Sequence, residues 1–325
     1  MTYQEFINQV RNKAHEDLSY DFDMMDFFPE GYTSDDPNEQ RWIKDTNKRY
    51  SDTDSPWLTI DMLLLKKKSE TTGVTLVQRI AIRRMYEDAK EDGFDAVFER
   101  IRETSADIMT SVIDEDAFTR RTSGVYEDIR ERLILRPLNY SLHIQDLNGH
   151  VYKRFSDFAL VLYQLLGDSK KTLTTSKIQK DELKNWNMED QMEKVMQDAL
   201  ENSMRLFPPC VYDQKVQKEV NFLSGSFTKK DIIIKAFRRN LILLSTTKTT
   251  NGALALFYPG VVEKMMEVMG GPFVAVFMNI NDIMIFDRND PNADSFVASA
   301  KQSGHMGEML STKKYLCDEK GIRPF

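Results

Sequence analysis

Four histidines are the first side chains to test for chemistry, and His143 and His150 stand seven residues apart beside Asp146 and Asn148. Imidazole and carboxylate groups at short spacing are common ligands of transition metals. Neither histidine, however, belongs to an HExxH pair or another ligand pattern with a known mechanism. The spacing favours a solvated loop over a metal site. We therefore predict neither a metal nor a cofactor.

The sequence contains no local motif for catalysis. It has no Gly-x-Ser-x-Gly elbow, no Gly-x-x-x-x-Gly-Lys phosphate loop and no Gly-x-Gly-x-x-Gly fingerprint. Its two cysteines, Cys210 and Cys317, are too few for a disulfide framework or a cysteine-rich zinc site. No catalytic residue is predicted, and the alternative is an enzyme whose site is assembled from distant residues.

Negative charge is concentrated in one segment near the N-terminus. The chain carries 51 acidic and 44 basic residues, a net charge of −7. Residues 16–54 hold 12 Asp or Glu and 4 Lys or Arg, whereas 39 acidic and 40 basic residues lie elsewhere. Neither part has the basic stripe of a protein that binds the phosphate backbone. Direct nucleic-acid binding is therefore not expected.

The acidic segment, about residues 20–55, is also rich in aromatic side chains and turn signals. Acidic groups accelerate docking on a basic partner, and aromatic groups supply anchors. The other interpretation is a solvated insertion whose aromatic residues cover a neighbouring core. Our candidate residues for binding a partner protein are the following: Asp21, Phe22, Asp23, Asp26, Phe27 and Phe28.

The first 120 residues contain patterns that predict some of the helices and strands around the acidic segment. Thr2 and Glu5 fit a capping box at the start of an amphipathic helix. Residues 58–66 and 74–84 resemble strands, and a helix follows Gly93. Residues 20–55 interrupt this pattern, and we assign them no regular structure. The first 120 residues are thus predicted to form an α/β unit.

Residues 121–325 are predicted to form a second α+β region. Residues 129–138 form a helix end or a strand that ends before Pro137, residues 155–166 a strand or a buried helix, and Asn187 caps a later helix. Residues 241–247 and 253–258 resemble strands joined by an Asn251-Gly252 turn. A helix, two strands and a last helix follow, which gives the order β-β-α-β-β-α. The fold class is α+β, with antiparallel sheets and helices packed on one face.

Several segments resemble a clostridial family that is known only as a domain of unknown function, number 5688. The strongest is Asn251-Gly252-Ala253 followed by Phe257-Tyr258-Pro259-Gly260-Val261, which is similar to the family's N-G-A…L-Y-P-G-V-L stretch. Residues 155–163 resemble its F-L-D-L-A-V-V-F-Y segment. Asn279-Ile280-Asn281-Asp282 stands where the family has Ser-x-His-Glu. The resemblance covers about residues 125–325, is weak before that, and implies no activity.

These observations favour a non-enzymatic binding or regulatory protein. No apolar run reaches the roughly 20 residues needed to span a bilayer, and the N-terminus does not resemble a signal peptide. We expect a cytoplasmic bacterial protein, from a mobile element or a bacterial virus, with a protein partner and no membrane. Besides an enzyme, the remaining alternative is an acidic inhibitor of a nucleic-acid enzyme.

Overall fold

The computed structural model describes residues 1–18, 24–28, 62–68, 75–110, 115–144, 147–168, 173–212, 219–236, 239–302 and 310–325. The chain divides into two compact units. Unit 1 comprises Met1–Thr119 and Leu165–Thr175, and unit 2 comprises Arg120–Gln164 and Ser176–Phe325. In the described part of the chain, no helix is both long and apolar enough to cross a membrane.

Unit 1 combines three long helices with a small sheet. Helix α1 (Tyr3–Asp17) begins with the predicted capping box, in which Thr2 and Glu5 exchange hydrogen bonds. Strands β1 (Met24–Phe28), β2 (Met62–Lys68) and β3 (Thr75–Ala81) form an antiparallel sheet in that order. Helices α2 (Ile82–Asp92) and α3 (Phe94–Thr110) follow. Phe6, Val10 and Ile101 are among the side chains buried between these elements.

Short helices and a four-stranded antiparallel sheet come next, mostly within unit 2; residues Glu115–Thr119 of the first helix and Leu165–Thr175 of the sheet belong to unit 1. Helices α4 (Glu115–Arg121) and α5 (Tyr126–Ile129) lead to strand β4 (Leu133–Asn139) and helix α6 (Tyr140–His143). Strand β6 (Phe158–Asp168) pairs with β4, with β5 (Tyr152–Phe155) and with β7 (Leu173–Lys177). Helices α7 (Lys180–Asn185) and α8 (Met192–Leu206) follow.

An eight-stranded antiparallel sheet makes up most of the remainder of unit 2. Its strand order is β15-β14-β12-β13-β11-β8-β9, with β10 paired to β11. The interleaved helices are α9 (Lys229–Ile232), α10 (Val261–Met269) and α11 (Asn292–Gln302). The strands are β8 (Pro209–Tyr212), β9 (Glu219–Asn221), β10 (Ile234–Ala236), β11 (Arg239–Thr246), β12 (Phe273–Phe277), β13 (Ile283–Asp287), β14 (Lys314–Asp318) and β15 (Gly321–Pro324).

The α+β class and the antiparallel sheets are confirmed, but the order predicted for the C-terminal region is wrong in one place. Residues Gly252–Phe257 form a 3₁₀ helix, although alternating small and large apolar residues favoured a strand. Five of these six residues are buried, so their pattern reflects burial on all sides and not a two-faced strand. The region also continues past the last predicted helix with β14 and β15.

Three other boundary predictions are corrected. Pro137 lies inside β4, whose one partner among the described strands is β6. The Leu135 N–H, two residues earlier on the same side of the strand, donates to the Ser203 hydroxyl and not to β6, so the missing N–H of Pro137 interrupts no ladder. Asn187 does not cap the following helix. It adopts a left-handed backbone with φ +55° just after α7, a conformation that asparagine tolerates better than most residues. The acidic segment, to which we assigned no regular structure, contributes strand β1.

Candidate functional site

The Asn251-Gly252 pair occupies a tight turn between β11 and the 3₁₀ helix. Asn251 has a left-handed backbone, φ +56°, and is completely buried. A Cβ atom added to Gly252 would lie 1.9 Å from the carbonyl oxygen of Asn281 and 2.7 Å from the Ser245 hydroxyl. Only glycine fits this approach, because the nearest obstacle is backbone and cannot rotate away.

The β12–β13 loop is joined to this turn by backbone and side-chain hydrogen bonds. The Ser245 hydroxyl donates to the Asn281 carbonyl oxygen at 2.7 Å. The Asn281 side-chain oxygen accepts from the Asn251 backbone N–H at 3.2 Å, and Ala253 N–H donates to the Ile280 carbonyl at 3.1 Å. The two segments, about 30 residues apart in sequence, thus form one polar cluster.

The loop itself is shaped by Asn279. Its side-chain oxygen accepts from the backbone N–H of Asn281 at 2.6 Å and of Asp282 at 3.0 Å. This is a local turn of the kind that asparagine favours. Burial raises the pKa of the Asp282 carboxyl, and hydrogen bonds from Ser245 and Asn279 oppose that shift. We call Ser245, Asn251, Gly252, Asn279, Asn281 and Asp282 the asparagine cluster.

The Asn251 side chain is the unusual group in this cluster. Both its oxygen and its nitrogen are buried, and neither has a hydrogen-bond partner among the described residues. The Tyr258 hydroxyl, seven residues later, is also buried and has no partner within the described ranges, and burial raises the pKa of this phenol. A buried polar group left unpaired costs about 1–3 kcal/mol. The turn therefore presents an unused donor and an unused acceptor side by side.

A second group of polar side chains surrounds the half-buried Asp157, between β5 and β6. Its carboxylate accepts from the Tyr315 hydroxyl at 2.5 Å, from the Ser311 hydroxyl at 2.8 and 2.9 Å, and from the Thr312 N–H at 3.2 Å. These donors come from the residues at and just before β14. Because all the donors are satisfied within the protein, the group is suited to fastening β14 and not to binding a ligand.

The predicted partner-binding residues fall partly on a described strand. Asp26, Phe27 and Phe28 lie in β1. They pair with Leu64, Leu63 and Met62 of β2, respectively. Among the described strands, β1 is one of the two outer strands of its sheet. The other three candidates, Asp21, Phe22 and Asp23, lie outside the described residues.

The candidate metal ligands are not brought together in the part of the chain that the structure describes. His143 ends α6, and the Leu147 N–H donates to its carbonyl oxygen. His150 forms an isolated bridge with Gln179. Asp146 lies outside the described residues. No group of three His, Cys, Asp or Glu side chains in the described ranges is placed to hold a metal ion.

Sequence reasoning placed Asn251-Gly252 in an ordinary hairpin turn and so missed the cluster. The signal was present, because Asn279, Asn281 and Asp282 form a second turn-forming run about 30 residues later. What the sequence could not show is that the two turns meet. Contact between them depends on the antiparallel pairing of β11 with β13, which places Leu244 opposite Ile283.

The comparisons with known proteins place the cluster inside a family region. The model of the DUF5688 family, described as a family of unknown function, matches residues 58–299. No curated protein and no solved structure matches this chain. The matched range includes the asparagine cluster, excludes residues 20–55 and stops before β14. Since the match covers well over half of the sequence, this chain belongs to the DUF5688 family of unknown function.

Proposed function

We propose that this protein is a non-enzymatic binding protein and that the asparagine cluster is its recognition site. The observation that carries the proposal is the Asn251 amide, which is fully buried and unpaired on both its polar atoms. A residue held in a left-handed backbone with an unsatisfied side chain costs stability. Ligand hydrogen bonds to that amide would recover part of this cost.

The chemistry of the cluster supports binding more than turnover. Its side chains are three amides, one hydroxyl and one carboxyl, from Asn251, Asn279, Asn281, Ser245 and Asp282. Amides donate and accept hydrogen bonds without changing protonation state. The Ser245 hydroxyl donates to a carbonyl and is positioned as a structural donor. These groups can select a polar ligand by its pattern of donors and acceptors.

The location of the cluster also favours this assignment. The cluster lies within the matched residues, 58–299, and its Asn251-Gly252 turn belongs to the stretch that resembles the family, whereas Asn279, Asn281 and Asp282 stand where the family has Ser-x-His-Glu. The acidic segment lies before that range. It would therefore add a property particular to this chain.

We further propose that the protein acts in the cytoplasm of a bacterium and originates from a mobile element or bacterial virus. Supporting the compartment, neither cysteine forms a disulfide and both are buried, as is usual where thiols stay reduced. Fractionation of the native host would test this: recovery of the protein from the periplasm or the medium would contradict it.

The test of the binding proposal is ligand retention by the folded full-length chain. The purified protein would be incubated with a small-molecule extract of the host, washed, denatured and analysed by mass spectrometry. We expect a compound that the native sequence retains and that Asn251→Gly does not. Glycine accepts the left-handed backbone at position 251 and removes only the amide.

The matched control is Asn187→Gly. Asn187 also has a left-handed backbone, φ +55°, but its side chain is exposed. This variant should retain the compound. Equal retention by both variants, or retention of nothing, would contradict the proposal. Conversion of the retained compound into a product would replace it with the enzyme alternative, in which Asp282 is the ionisable group of the cluster.

A second candidate function is docking of a basic partner protein on the acidic segment, including inhibition of a nucleic-acid enzyme. It is favoured by β1, which carries Asp26, Phe27 and Phe28 at the outer position of its sheet. Outer strands accept a further strand from a partner, and nearby acidic groups would favour a basic one.

Charge reversal tests this docking. Changing Asp21, Asp23 and Asp26 to lysine should weaken co-purification of a partner at least tenfold. The control reverses Glu91, Glu103 and Glu319, which are exposed elsewhere. Unchanged co-purification after the first triple substitution would remove this candidate.

A further inference from the structure

We propose that the Asn251 amide forms a two-hydrogen-bond contact with an uncharged, planar ligand edge in which a donor and an acceptor are adjacent. This inference rests on the proposed function and specifies its ligand class. Carboxamides and nucleobase edges such as that of adenine share this chemistry. The Asn251 oxygen would accept one hydrogen bond and its nitrogen would donate the other.

The Asn251 amide places a donor and an acceptor side by side. The donor and acceptor of Asn251 are both buried and both unpaired, at 0% exposure of the residue. A ligand with only an acceptor or only a donor would leave the other half of the amide unsatisfied. Sites built to hydrogen-bond both groups discriminate strongly against analogues that lack one, because a buried polar group is then left alone.

The charge of the asparagine cluster bears on the charge of its ligand. The residues of the asparagine cluster include no lysine, arginine or histidine, and their one ionisable group is the Asp282 carboxyl. A phosphate or carboxylate ligand would find no counter-charge among them and would face that carboxyl. Since burying an unpaired charge is expensive, the cluster selects a neutral ligand group.

The Asn251-Gly252 turn is preorganised for binding. The Asn251 backbone N–H is tied to the Asn281 side chain at 3.2 Å, and the next residue, Gly252, is packed against the Asn281 carbonyl. The Ser245 hydroxyl donates a hydrogen bond to the same carbonyl. Little freedom remains to be lost at this turn when a ligand binds, and such preorganisation increases affinity.

The probes are adenine and propionamide, added separately to the ¹⁵N-labelled full-length chain. The side-chain NH₂ signals of Asn251 are identified by their loss in Asn251→Gly. We expect saturable shifts of these signals with at least one probe. Shifts with adenine alone indicate a nucleobase ligand, and shifts with propionamide alone or with both indicate a general amide contact.

Two variants and one control define the contact. Asn251→Gly and Asn251→Asp should each weaken probe binding at least tenfold, because the first removes the amide and the second replaces its donor with oxygen. Asn187→Gly should bind as the native sequence does. If Asn251→Gly fails to fold, as judged by the backbone spectrum, Asn251→Asp alone carries the comparison.

The proposal is overturned if neither probe shifts the Asn251 signals. It is equally overturned if the Asn251 NH₂ group contacts bound water alone, both with and without the probe. It is also overturned if the variants bind the probes as tightly as the native chain. If an extract compound is retained through Asn251 while both probes fail, the ligand class is wrong but the binding function stands.

Discussion

Asn251 and Gly252 are adjacent residues that meet different physical demands. Asn251 accepts a left-handed backbone, φ +56°, which few residues other than glycine tolerate. Gly252 instead provides space, because any Cβ atom would collide with the Asn281 carbonyl at 1.9 Å. At the residue scale, therefore, the turn is fixed by conformation at one position and by sterics at the next.

A steric test follows from this difference. Gly252→Ala should lower the free energy of unfolding by about 3 kcal/mol, since the contacting atom is backbone and must move. The comparison is Gly149→Ala. At Gly149 φ is +79°, but no neighbouring atom lies within 4 Å of an added Cβ, so only backbone strain of about 1 kcal/mol is expected. Urea unfolding measures both values. A smaller loss for Gly252 than for Gly149 would contradict the close approach.

The Asp282 carboxyl gives a pH prediction. Burial raises its pKa above the ordinary 3.8, so the folded state prefers the protonated form. The stability it contributes is complete below pH 3.8 and is lost as the pH rises through the folded pKa. Asp282→Asn removes this titration. Urea unfolding measured from below pH 3.8 up through the folded pKa should show the variant gaining stability relative to the native chain as pH rises. A difference in unfolding free energy that stays constant with pH would refute the raised pKa of Asp282.

At the scale of elements, sequence patterning found most of the regular structure in the C-terminal region. The helix ending at Gly270 and strands β12 and β13 follow from turn residues and apolar runs. Residues Gly252–Phe257 were misassigned, because burial on all sides erases the periodicity that separates a strand from a helix. The asparagine cluster could not be predicted, since it exists only through pairing between distant strands.

One partly buried ion pair joins Arg121, at the end of α4, to the end of β7 and to helix α7. The Arg121 guanidinium donates to both oxygens of Glu182, to the Ser176 hydroxyl at 2.6 Å and to the Lys177 carbonyl at 2.7 Å. The Arg121 and Glu182 side chains are only 11% and 19% exposed. Arg121→Ala should therefore cost about 3 kcal/mol in urea unfolding, because Glu182 loses its charged partner.

An exposed ion pair on α7, the helix that carries Glu182, is the control for Arg121. Lys184 and Asp181 are 65% and 81% exposed, and exposed pairs contribute little. Lys184→Ala should change the unfolding free energy by less than about 0.5 kcal/mol. Equal losses in the two variants would show that the Arg121 network adds nothing beyond a surface pair.

On the scale of the whole molecule, both thiols lie in unit 2. Cys210 in β8 and Cys317 in β14 are fully buried, and burial raises the pKa of Cys317 to about 12. Because the thiolate is the reactive form, the native chain at pH 8 should react with a thiol reagent only after unit 2 opens. Labelling measured along a urea titration should follow unfolding, whereas rapid labelling of Cys317 without urea would contradict its burial.

The proposed function depends on recognition through the Asn251 amide, and the most direct measurement is the ratio of host compound retained by the native chain to that retained by Asn251→Gly. We predict a ratio of at least ten, with Asn187→Gly indistinguishable from the native chain, since its left-handed asparagine is exposed. A ratio near one would show that the asparagine cluster is a structural turn and would contradict the proposed function.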